Sequence, residues 1–136
     1  MRVRWGVVAA LIALAGCTMG SELPATQAAL DTFHAQLNAG SFDAIYQGSS
    51  NDMKQASTED SIVKLLGAVH RKLGAFRSGK LQGWNENYNT SGHFVMVGYA
   101  ATYDRGVASE TFTYRIDKGA PVLAGFNITS NALIEN

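Results

Sequence analysis

Glu110 stands where a carboxylate is costly. Across Val107–Ile116, Ala108, Phe112, Tyr114 and Ile116 recur at every second position, and Glu110 falls in the same series. Such alternation sets one strand face against a core, and a carboxylate buried there needs a partner or must hold its proton. Beside Tyr99 or Tyr114, an inward carboxylate would suit proton abstraction from a small apolar substrate, with Glu110 as general base of an isomerase or lyase. The plainer reading, which we favour, puts Glu110 at a sheet edge, reaching solvent or paired with Arg105 or Lys118. Tyr99, Glu110 and Tyr114 are the candidate lining of a cavity between sheet and helices. Trp84, Tyr88 and Tyr103 are further aromatics that either line it or fill the core.

Other chemistry has little support. His34, His70 and His93 fall in three separate stretches, none with a His or acidic neighbour at metal-ligand spacing, so no metal or cofactor is expected. Gly-x-Ser-x-Gly, a phosphate-cradling Gly-rich loop and a dinucleotide fingerprint are absent from the sequence. His70, Arg71, Lys72, Arg77 and Lys80 form a basic cluster near a helix end. It reads first as compensation of the helix dipole, and secondly as a surface for lipid phosphates.

The single cysteine, Cys17, closes the most specific pattern in the chain. Arg2 and Arg4 precede an apolar run from Trp5 to Ala15, far short of the roughly 20 residues that span a bilayer. A basic start, a short apolar core and small residues describe a secretory signal. Leu14-Ala15-Gly16-Cys17 resembles the lipobox of bacterial lipoproteins. The resemblance implies cleavage after Gly16, acylation of the Cys17 sulfur and a palmitate-bearing membrane anchor. It implies an address in the cell envelope, and Thr18 after the cysteine resembles outer-membrane sorting, facing the periplasm in a Gram-negative host. Residues 1–16 are then a signal peptide, 17–23 a lipidated tether and 24–136 one domain.

Loss of Arg2 and Arg4 with the signal leaves nine basic against eleven acidic side chains. That balance gives no case for a nucleic-acid partner, which wants a strongly basic face. The 120 residues that remain of 136 suit one domain with one core. With its only thiol acylated, that domain has no disulfide.

The elements must position these groups. Pro24 after Ser21 marks a helix start. Leu30, Phe33 and Leu37 share a helical face, and Gly40 stops it. Ser41 is placed to cap a short second helix with Phe42, Ile45 and Tyr46, and Gln47–Asn51 reads as a polar break. A third helix follows Ser57 or Thr58, carries a stripe of Ile62, Leu65, Leu66, Val69 and Leu73, and ends at Gly74. Four β-rich runs follow: Phe76–Glu86, His93–Tyr103, Val107–Ile116 and Pro121–Thr129. Short turns join them, so they form an antiparallel meander. His93–Tyr103 is apolar on both faces and belongs in the centre. Its register is open: a two-residue loop at Asp104-Arg105-Gly106 would set Tyr99 against Phe112, and a three-residue loop Gly98 against Phe112.

The fold class expected is α+β: two to three N-terminal helices packed on a curved four-stranded meander. This order, the helix ending at Gly74, the long hairpins after it and the run LNAGSFDAIYQGSS at Leu37–Ser50 resemble the nuclear transport factor two-like superfamily, small secreted members in particular. The resemblance implies a cone-shaped fold. The expectation for function is a lipid-anchored, non-enzymatic domain that binds a small apolar ligand or an envelope protein partner.

Overall fold

The computed structural model describes residues 22–135. The signal peptide, Cys17 and the tether as far as Ser21 lie outside the described residues. Four helices precede the sheet: α1 (Leu23–Asn38), α2 (Phe42–Gln47), α3 (Asn51–Ala56) and α4 (Glu59–Leu73). The strands are β1 (Phe76–Asn89), β2 (Gly92–Tyr103), β3 (Gly106–Asp117) and β4 (Ala120–Thr129), and α5 (Asn131–Glu135) closes the described chain. The architecture is α+β, helices N-terminal to an antiparallel sheet in the order β1-β2-β3-β4. The count of two to three helices is thus too low. The polar break ends where α3 begins, and a six-residue helix is too short to show a periodic stripe.

Capping follows the sequence unevenly. Thr58 caps α4, its hydroxyl oxygen accepting from the Ser61 backbone N–H at 3.2 Å. Ser41 precedes α2 without a side-chain capping bond. Glu22 holds the N-cap position of α1, with Pro24 in the first turn. On α4, Leu66, Val69 and Leu73 are buried, but Leu65 is 39 % exposed and leaves the expected stripe. The end of α4 is sealed by the β2–β3 turn. Arg105 donates from Nε to the Lys72 carbonyl at 3.0 Å and from Nη2 to that of Arg71. Gly74, at φ +78°, has no room for a side chain against Asp104.

Each hairpin loop is two residues long: Thr90-Ser91, Asp104-Arg105 and Lys118-Gly119. Lys118 and Gly119 both take positive φ, as a type I′ turn requires. The central turn decides the register, and both expected pairings fail. Gly106 is already strand, opposite Tyr103, so Val97 faces Phe112 and Tyr99 faces Glu110. Pro121 sits at the start of the edge strand β4, where its missing N–H costs no ladder bond.

The core lies between the helices and one sheet face. Leu30, Phe33 and Leu37 of α1 meet Val95, Val97, Phe112 and Leu123. Phe33 and Phe112 are edge-to-face at 5.0 Å between centroids, and Phe126 completes the group. Aromatic pairs of this kind add about 0.5–1.5 kcal/mol beyond area burial.

Candidate functional site

Two polar features interrupt this core, both rooted on the inner face of β3. The first is Glu110, 1 % exposed. It neither reaches solvent at an edge nor pairs with Arg105 or Lys118. β3 lies between β2 and β4, so its inward residues have no edge to escape from. The partners are His34, whose Nε2 lies 2.8 Å from Oε2, and Tyr103, whose hydroxyl donates to Oε1. An ionised carboxylate only accepts, so Nε2 is then the protonated ring nitrogen of His34. Its Nδ1 has no hydrogen-bond partner among the described residues.

Local structure builds this knot. His34 follows Leu30 by four residues and precedes Leu37 by three, which puts it on the buried stripe of α1 at 3 % exposure. Its ring stacks on Phe76 at 3.7 Å between centroids, with Tyr99 at 5.5 Å. Tyr103 lies on the same face of β2 as Val97 and Ala101 and reaches along the sheet to Glu110. Tyr99 lies over Gly79 of β1 so closely that a Cβ there would stand 2.1 Å from its ring. Burial first, then the charge of Glu110 and the bond to it, hold the Tyr103 phenol well above its usual range. Tyr99 is also raised, by burial first and then by Asp31 and Glu110.

The second feature is a cleft of about 310 Å³ between α1, α2 and the β3–β4 side of the sheet. Phe33 and Gln36 of α1, Ile45 of α2, and Tyr114, Pro121 and Leu123 of the sheet line it. None of its described lining residues is charged. Tyr114 is 2 % exposed, and its hydroxyl has no hydrogen-bond partner among the described residues. Burial, and secondarily Glu110, raise this phenol above its usual range as well.

Tyr99, Glu110 and Tyr114 therefore share a sheet face but not a cavity. Tyr114 lines the cleft just described. Tyr99 lines another, with Asp31 and Leu81 between α1 and β1. Glu110 lines neither; both its oxygens are taken by side chains. Trp84 and Tyr88 are exposed on β1.

The basic residues at the end of α4 are partly engaged. Lys72 donates to the Leu133 carbonyl at 2.6 Å, Arg77 pairs with Asp104, and Arg71 and Lys80 are exposed. The N–H of Ala75 first, then Arg77, hold the Asp104 carboxyl below its usual range.

Sequence reasoning missed His34, although its place on the Leu30–Leu37 stripe was the available signal. It also missed Arg115, which grips Asp52 of α3 through Nε and Nη2, both at 2.7 Å, and lies over Phe94. No known protein family matches this chain, and no curated protein or solved structure matches it either.

Proposed function

We propose that this chain is a lipid-anchored protein of the bacterial cell envelope whose domain binds a small, mainly apolar ligand in the cleft beside Tyr114. The observation that carries the binding reading is Tyr114, a residue of the wall of an uncharged cleft whose hydroxyl is buried without a partner among the described residues. A hydroxyl left so costs about 1–3 kcal/mol, and binding clefts characteristically set a few polar groups among apolar walls. The volume lies at the small end of ligand sites, roughly 300–1,000 Å³.

The anchor reading rests on Arg2, Arg4, the short apolar run and Leu14-Ala15-Gly16-Cys17. Two or more acyl chains give a stable hold at ~0.8 kcal/mol per buried methylene. Among the described residues no helix is long and apolar enough to cross a membrane. A cone-like, nuclear transport factor two-like form belongs to the same proposal. Its support is helices followed by a meander, with register shifts in β1 and β4 of the kind that bend a sheet.

Labelled palmitate entering the wild type but not Cys17→Ala tests the anchor. Native mass spectrometry of the protein from its own host tests the cleft. A small molecule carried by the wild type and lost in Ala44→Phe, which fills the cleft, is expected. Protein without label and without a bound molecule overturns both halves.

A further inference from the structure

The walls of the cleft narrow the ligand. We propose that it takes a neutral, largely hydrocarbon molecule bearing one hydrogen-bond-accepting oxygen, a carbonyl or ester, which pairs with the Tyr114 hydroxyl. This inference rests on the cleft reading above and adds the chemical class.

The absence of charge in the lining comes first. Phe33, Ile45, Pro121 and Leu123 offer hydrocarbon, while Thr32 and Gln36 are polar but neutral. A carboxylate or phosphate brought here would lose its water and meet no cation. Arg115, the next residue after Tyr114, is already committed to Asp52.

Hydrogen-bond polarity comes second. Burial and Glu110 keep the Tyr114 phenol protonated through the ordinary pH range, so it keeps a proton to donate as well as an oxygen that accepts. A ligand oxygen that accepts this proton gives the buried Tyr114 hydroxyl the partner it lacks among the described residues. The hydroxyl is shielded from solvent, so pairing requires its cover to move. A pure hydrocarbon fills the same walls and leaves the hydroxyl as it was.

The test uses the mature acylated protein in nanodiscs, with carbon-13 methyl labels read at Ile45 and Leu123. The probes are methyl octanoate, octanoate and octane at pH 7.5. Methyl octanoate is expected to shift both methyl groups, and Tyr114→Phe to weaken it about five- to tenfold, the worth of one net hydrogen bond. Octanoate is expected to shift neither. Octane is expected to act alike on both variants, which corrects for partition into the lipid. Octanoate binding as well as the ester, or an unchanged ester affinity in Tyr114→Phe, overturns the inference. If octane and ester both bind with no loss in Tyr114→Phe, the cleft reading stands and the oxygen does not. Silence from all three probes removes both.

Discussion

Glu110 and Tyr114 stand four residues apart on one face of one strand, and their polar atoms meet opposite fates. Glu110 is served by His34, 76 positions away in sequence, and by Tyr103 from the neighbouring strand. Tyr114, as deeply buried, has no partner among the described residues. The buried network around the Glu110 carboxylate fixes how α1 sits on the sheet, since breaking any member strands the others, although His34 Nδ1 is itself unpaired among the described residues. An unsatisfied group fixes nothing and costs stability, which is tolerable where something other than the fold uses it. The two sites therefore respond to substitution with opposite signs.

Removing Glu110 has the largest expected effect. Glu110→Ala leaves His34 and Tyr103 unpaired beside a void, and urea unfolding should show a loss of about 3–5 kcal/mol. His34→Leu with Glu110→Met should cost less than Glu110→Ala alone, because it refills the void and leaves only the Tyr103 hydroxyl unpaired. Equal losses would mean that the knot is not a unit.

The alkaline limb comes next. Tyr99, Tyr103 and Tyr114 all have folded pKa values raised above 10.0. The unfolded chain therefore releases these protons first. Stability should stay level up to about pH 10 and fall beyond it. The slope is up to about 1.4 kcal/mol per pH unit for each tyrosine still protonated in the folded state. Tyr103→Phe should remove one proton from that slope, and an unchanged slope would contradict its burial.

Tyr114→Phe should have the smallest effect, with the sign reversed. Without ligand, deleting an unpaired hydroxyl should leave stability unchanged or raise it by about 1 kcal/mol. A loss above about 1 kcal/mol in thermal unfolding would show that the hydroxyl is bonded after all.

Much of the fold was legible because periodicity is local. The stripe Leu30–Phe33–Leu37, the helix ending at Gly74 and the alternation around Phe112 are each set by neighbours in sequence. Helix α3 was not legible, since its six residues carry only Met53 into the core. The β2–β3 register was missed because Gly106 was counted in the turn, and glycine suits both places.

The sequence alone determined that helices precede a four-stranded meander, that Glu110 lies on the apolar face of its strand, and that an acylation pattern surrounds Cys17. It did not reach the partner of Glu110: the residue pattern offered Arg105 or Lys118, and His34 came beside the carboxylate only when α1 was laid on the sheet. Only the tertiary structure made that choice, and it also separated Tyr99 from Tyr114 into different clefts. The reason is physical: periodicity says which side of an element is buried, while pairing depends on which buried sides are pressed together.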